Sequence, residues 1–428
     1  MKKSLVALAT LAAAGGAMAQ VTISGRANLD VGGYTAVGAT GNNSLGVATV
    51  AAPAVLDAAN RNVVRDSSSR ITMTVREDLG GGRAAGLVCD TGINIDTATN
   101  NGQANTANPN VNFFCSREGS LRYGTSTVEI RAGRQNVFWT SGAPDATGAN
   151  LTGSSISSNL YAGGVGLLGT RLPNMIMLAG GSGLGAFANS HIYYGINEAG
   201  YGEASNNAAA AGNAGTGTQG TGTYNGFKLT YAITPTWEAM IDYQSAQNTT
   251  GSGTTGSFNR TATKYQLGWK YAGGESIASI QYWNKERVDN VAGATFSLGS
   301  AITVVANGGG ATSSNNTGSG KDSGYVFNIN HDFGGGYVGV LQYGQAYNMQ
   351  GVQTANAAPT EIANSGATAY TVGGIMRLSK RTHAYAAYHM ITNGANAQYG
   401  MGGGNYASSI PANGQQITTT ALGLQHWF

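Results

Sequence analysis

The sequence predicts an all-β chain: a 16-stranded antiparallel transmembrane β-barrel with long extracellular loops and short periplasmic turns. Two observations carry this. Apolar residues recur with a period of two, and the connections between these stretches are short and long in strict alternation. A third observation narrows the choice. Beyond the N-terminal segment there is no run of about 18 apolar residues, so any crossing of a membrane must use strands.

The first segment, MKKSLVALATLAAAGGAMAQ, begins with Lys2 and Lys3 and continues with an apolar stretch from Leu5 to about Ala14. It closes on Ala17-Met18-Ala19. A charged start, a short apolar core and an A-x-A site read as a cleaved Sec signal peptide over residues 1–19. The mature chain is then expected to run from Gln20 to Phe428. No cysteine stands at the cleavage point to carry a lipid.

Alternation is plain in KYQLGWKY, where Tyr265, Leu267, Trp269 and Tyr271 interleave with Lys264, Gln266, Gly268 and Lys270. It recurs in RITMTVRED, GFKLTY, WEAMIDYQ and YVFNINHDF. One face of each stretch is apolar and the other polar, which is the pattern of a half-buried strand. Sixteen such stretches are expected, roughly at 20–33, 69–79, 82–91, 112–123, 127–135, 170–179, 185–196, 222–232, 236–246, 261–272, 275–287, 322–333, 336–347, 367–378, 381–392 and 415–428. Those at 170–179, 185–196 and 381–392 alternate poorly. EDLGGGR, YAITPTW, YAGGES, DFGGGY and LSKRT read as tight turns. Long polar segments, such as Gly33 to about Ser68 and Asp289 to Lys321, fill the other gaps. An even strand count puts both termini on the periplasmic side.

Composition sets limits on function. The chain has 428 residues, 41% of them hydrophobic and only 10% charged, with 67 glycines and 21 tyrosines. Disordered chains are poor in aromatics and high in net charge, so this one is expected to fold. A formal charge of +3 includes the two N-terminal lysines, which leaves no basic excess to hold nucleic acid. The five histidines are scattered without metal spacing, and no cofactor is expected. GVGLLG, beginning at Gly164, fits a dinucleotide pattern, yet no strand–turn–helix unit surrounds it, so it reads as a glycine-rich loop. No serine or acid groups with histidine at one rim, and the chain is not expected to be an enzyme. Cys89 and Cys115 are a possible disulfide, since exported pairs usually bridge; the alternative is two small apolar residues.

Several stretches, in this order, resemble the general diffusion porins of Gram-negative bacteria, in particular the betaproteobacterial and neisserial group of trimeric porins. These are VTISGRANLDVG, SSSRITMTVREDLGGG, AGRQ, TRLPN, LSKRT and GLQHWF, which span nearly the whole mature chain. The resemblance implies a porin domain over 20–428, a homotrimer in the outer membrane, and contacts with lipid, lipopolysaccharide and the barrel-assembly machinery. It also implies passive diffusion of small hydrophilic solutes and ions, and a constriction loop over 136–170 folded into the lumen. In that group this loop usually carries several acids; here it has one, Asp145.

Arg70 matches the arginine that the resemblance places on the lumen wall facing the constriction loop, and Arg171 falls in the R-x-x-N match where that loop returns. Strand phase turns Arg26, Arg76 and Arg131 inward as well. For any one of these the alternative is a solvated wall residue without a role. Arginines opposite a poorly acidic loop lead to an expected weak anion preference. Phe138, Trp139 and Tyr161 keep open a substrate-specific channel for a sugar or organic anion. A secreted soluble β-protein or adhesin is the more distant alternative. The closing strand sets Leu422, Leu424, His426 and Phe428 on the lipid face, and the terminal Phe428 resembles a C-terminal assembly signal.

Overall fold

A computed structural model describes residues 20–40, 61–66, 69–95, 99–100, 114–137, 160, 171–198, 221–248, 257–270, 276–290, 295–298, 302–305, 317–351, 360–397, 399–400 and 413–428. All sixteen expected strands form and close into one antiparallel barrel. They are β1 (Gln20–Val37), β2 (Arg70–Gly80), β3 (Arg83–Asn94), β4 (Glu118–Thr125), β5 (Val128–Asn136), β6 (Arg171–Gly180), β7 (His191–Glu198) and β8 (Thr221–Ala232). The second half comprises β9 (Trp237–Asn248), β10 (Ser257–Lys270), β11 (Ile277–Asn290), β12 (Thr317–Gly334), β13 (Tyr337–Ala346), β14 (Ala367–Arg377), β15 (Thr382–Asn393) and β16 (Gln416–Trp427).

Each strand pairs with its neighbours in sequence, and β1 returns to β16 to close the wall. At that seam Arg26 faces Trp427 and Val37 faces Gln416. Two further hydrogen bonds tie the last residue in. Gly25 N–H donates to Phe428 O at 3.0 Å, and Phe428 N–H donates to Gly25 O at 3.2 Å. The Phe428 ring lies over Gly25, where a Cβ would sit 2.4 Å from it.

The outer surface carries the apolar half of every alternation. Ile71, Leu121, Ile176, Ile192, Leu341, Val372, Leu422 and Leu424 are all exposed there. Neighbouring rings on this face make cross-strand pairs, such as Phe227 with Tyr243 at 5.7 Å and Tyr265 with Tyr282 at 6.4 Å between centroids. Each such pair contributes about 0.2–1 kcal/mol beyond an alanine pair.

Two of the tight turns share one chemistry. In D-L-G-G-G and D-F-G-G-G the aspartate accepts the N–H two residues on, Asp78 from Gly80 and Asp332 from Gly334, both at 2.8 Å. The three glycines that follow have φ of 77°, 62° and 75° in the first turn and 78°, 61° and 87° in the second. Side chains are strained at such angles, so the glycine run is what lets the chain reverse. In LSKRT the Ser379 hydroxyl accepts from the N–H groups of Arg381 and Thr382 instead.

Besides short strand pairs within the long connections, such as Thr295–Leu298 with Ile302–Val305, the structure departs from the expected elements in three places. The strand expected over 185–196 begins only at His191, because Ser182–Phe187 winds into a 3-10 helix, with Gly185 at φ 59°. The strand expected from 112 begins at Glu118, after Cys115 at φ 59° breaks the extended chain. The segment expected as loop to about Ser68 contains a strand, Arg61–Asp66, which pairs with the outer half of β1 through Leu29↔Asp66 to Tyr34↔Arg61. The inner half of β1 pairs with β2, so the two partners divide its length.

Gly32 on β1 passes so near β16 that a Cβ would lie 1.7 Å from Thr420 O. Gly32→Ala is expected to destabilise the barrel by about 1–3 kcal/mol, because backbone must move. Heating the detergent-solubilised protein and following its folded gel band tests this, and an unchanged melting temperature would refute it.

Candidate functional site

The interior face follows from the register. Directly paired residues share a face, so one inward residue fixes a whole row around the wall. One row runs Arg76, Gly86, Arg122, Arg131 and Met177 across β2 to β6. Another runs His191, Lys228, Asp242, Lys264 and Trp283 across β7 to β11. Polar and charged side chains therefore dominate the interior, with buried apolar ones such as Met177 and Val326 among them, while the exposed aliphatic ones face outward.

Arg26 and Arg70 are direct partners on β1 and β2. Arg26 is buried, Arg70 half-buried, and each lies within electrostatic reach of Arg117. One buried acid, Asp66, lies within electrostatic reach of Arg26 and accepts from Ser69 N–H at 2.8 Å, while two others are engaged by arginines. Asp90 accepts from Arg117 Nε at 3.0 Å and from the Thr72 hydroxyl at 3.0 Å. Asp30 forms a buried ion pair with Arg65 and lies 2.8 Å from the Tyr385 hydroxyl. This sector thus concentrates guanidinium groups. Arg76, nearer the turn, is exposed.

Arg131 stands differently. Its Nε donates to Glu129 at 2.6 Å, and Arg122 reaches Glu118 and, at 3.8 Å, Glu129. Two guanidiniums and two carboxylates there form one network. Across the barrel, Lys228 and Lys264 flank Asp242, and Lys285 Nζ binds Asp322 at 3.0 Å. Near the turns Arg377 holds Asp332 at 3.2 Å. The interior is therefore uneven in charge, with the excess on β1 to β3 and the root of β4.

Large aromatic side chains lie flat on the inner wall. Each covers the glycine directly opposite it on the next strand. Tyr193 lies over Gly226, Tyr224 over Gly195, Trp283 over Gly324 and Tyr385 over Gly423, with distances of 2.0–2.6 Å from a would-be Cβ. A facing glycine thus lets a ring bury itself against backbone without standing up into the interior.

Three basic residues escaped the reading of the sequence. Arg65 lies in the strand taken for loop. Arg117 precedes β4, where alternation counted back from Arg122 would have turned it to lipid. Arg134 follows Gly133, whose φ is 124°, and lies within electrostatic reach of inward-facing Tyr224. Cys115, two residues before Arg117, was the signal that the strand had not yet begun. Arg171 occupies the first position of β6, opposite Asn136. Asp145, Phe138, Trp139, Tyr161 and the GVGLLG stretch lie outside the described residues.

Cys89 and Cys115 are joined by a disulfide, with Cα atoms 4.5 Å apart. Among the described residues no group of three or more His, Cys, Asp or Glu could hold a metal ion. The histidines are spread along the wall; His389, for example, sits 2.6 Å from the Thr371 hydroxyl.

The fold has many relatives of known structure. The anion-selective porin from Comamonas acidovorans matches with a TM-score of 0.60 at 19% identity, over 96% of this chain and 100% of that one. The outer membrane channel DcaP of Acinetobacter baumannii matches with a TM-score of 0.53 at 10% identity, over 96% and 97%. OmpF of Salmonella typhi, solved with daunomycin, matches with a TM-score of 0.53 at 11% identity, over 97% and 99%. No curated protein sequence matches the chain. The family model described as Gram-negative porin matches residues 4–396. With that match across nearly the whole of a closed sixteen-stranded barrel, the chain belongs to the Gram-negative porin family and is an outer-membrane diffusion channel.

Proposed function

We propose that this porin is a general diffusion channel with weak to moderate anion preference, passing small hydrophilic solutes and ions down their gradients without cofactor or energy coupling. The observation that carries the reading is the pairing of Arg26 with Arg70 beside Arg117, while Asp30 and Asp90 are taken up by other partners. A narrow path between low-dielectric walls focuses this field and raises the local anion concentration. Arg76, Arg131 and Arg171 complete the pore-lining set, with Arg131 weakened by Glu129.

The constriction is assigned to residues 136–170, with Asp145 as its one acid. Leu160, fully buried in an apolar cluster with Val137, Met175, Met177 and Tyr193, supports an inward path for this segment. Residues 1–19 are assigned as the cleaved signal peptide. The working form is assigned as a homotrimer in contact with lipid and lipopolysaccharide, inserted by the barrel-assembly machinery. Phe428, tied to Gly25 at the seam, supports a role for the terminal ring in that insertion.

Reversal potentials in a KCl gradient across a planar bilayer test the selectivity. Chloride should be favoured, more at 0.1 M than at 1 M, because the screening length falls from about 10 Å to about 3 Å. Arg70→Gln should reduce the preference, and Glu129→Gln should raise it by releasing Arg131. A wild-type potential favouring potassium would overturn the reading. Liposome swelling with neutral solutes matched in size should give equal rates, and a several-fold preference for one of them would favour a substrate-specific channel.

Deleting Phe428 should lower the amount of folded protein in the outer membrane and leave the conductance of the surviving channels unchanged. Normal folded levels would exclude the assembly role.

A further inference from the structure

The Cys89–Cys115 bridge stands at a junction that the pore chemistry needs. Cys89 belongs to β3 and is buried, whereas Cys115 is half-buried and ends the long connection before β4. The bridge spans 26 residues of sequence. Cys115 itself has φ 59°, in the left-handed region that a residue with a side chain seldom adopts without support. Its N–H donates to the Thr91 hydroxyl at 2.9 Å. Two residues later the Arg117 N–H donates to Asp90 O at 2.9 Å, and Arg117 Nε reaches Asp90 Oδ2 at 3.0 Å. The sulfur link thus lies between the end of the loop and the guanidinium that adds a third positive charge beside Arg26 and Arg70.

We propose that the Cys89–Cys115 disulfide is a positioning element for Arg117, so that the redox state of the two sulfurs sets the ion selectivity of the pore. The bridge clamps residues 115–117 to β3, and β4 proper begins only at Glu118. A small dithiol attacks the more accessible Cys115 sulfur and breaks the S–S bond. Two electrons and two protons pass to the protein as two thiols, and the dithiol leaves as its cyclic disulfide. Cys115 then loses the covalent link that supports its left-handed conformation, and the 115–117 segment is held to β3 only by the hydrogen bonds of Cys115 N–H to Thr91 and of Arg117 to Asp90. This rests on the arginines lining the pore, as proposed above, and not on the sign of the selectivity.

The experiment compares reversal potentials of the purified full-length channel in a KCl gradient, oxidised and after treatment with dithiothreitol, with thiol labelling to count free cysteines. Reduction should lower the chloride-to-potassium permeability ratio by about twofold, the effect of withdrawing one fixed charge from a focused field. The C89S/C115S double variant should match the reduced wild type. Arg117→Gln should have the lowered ratio from the start and not respond to reduction, and Arg117→Lys should recover part of the ratio and keep the response. The proposal fails if fully labelled, reduced wild type or C89S/C115S keeps the oxidised ratio, or if R117Q still responds to reduction. An oxidised wild type that prefers potassium would sink the anion reading alone, since the redox shift through Arg117 is read separately.

Discussion

Everything in this barrel depends on the pairing of its backbone. In hydrocarbon an amide without a partner costs about 2–7 kcal/mol, several times the worth of an aromatic cross-strand pair at about 0.2–1 kcal/mol. No arrangement of side chains could offset an open edge, so β1 must meet β16. That requirement explains why the last residue is used at all. Phe428 donates to and accepts from Gly25, and its ring takes the space that a side chain on Gly25 would need.

Once the wall is closed, the interior can hold polar groups that would be intolerable outside. Their arrangement is economical, because the strand register decides neighbours two residues at a time. The same register that sets Lys228 and Lys264 on either side of Asp242 also sets Arg26 against Arg70. One sector alternates cation and acid along the row, and the other sets two arginines face to face. Asp30 and Asp90 are held by Arg65 and Arg117, residues that come from the connections between the sixteen strands, Arg65 from the short strand paired with β1. Loop segments therefore tune the charge that the strands present.

The barrel was legible in the sequence because a strand with one face in lipid must alternate, and turns of the DxGGG kind announce themselves. What stayed hidden had physical reasons. Residues 182–187, SGLGAF, are mostly apolar and carry no side-chain cap or charge, so nothing in them distinguishes a 3-10 turn from the start of a strand. Met175 and Met177 are buried on the inner face against other apolar groups, which erased the contrast between the faces of β6. Alternation also fails wherever a residue leaves the extended region, as at Cys115 and Gly133, so the faces of Arg117 and Arg134 cannot be counted from strand phase. The arginine pair of β1 and β2 could be placed inward from phase, but its meeting face to face needed the register.

The rings lying over glycines have a consequence for the width of the passage. The inner wall places some of its largest side chains, Trp283, Tyr193, Tyr224 and Tyr385, where they occupy depth in the wall rather than room in the bore. Calibre is thus written in residues that have no side chain. A single methyl group on Gly195 or Gly423, where a Cβ would meet only the rings of Tyr224 and Tyr385, would leave the strand count and the loops as they are, yet it would lift a tyrosine like a flap into the stream. Lineages of such channels could thereby narrow or widen their traffic by one-carbon steps.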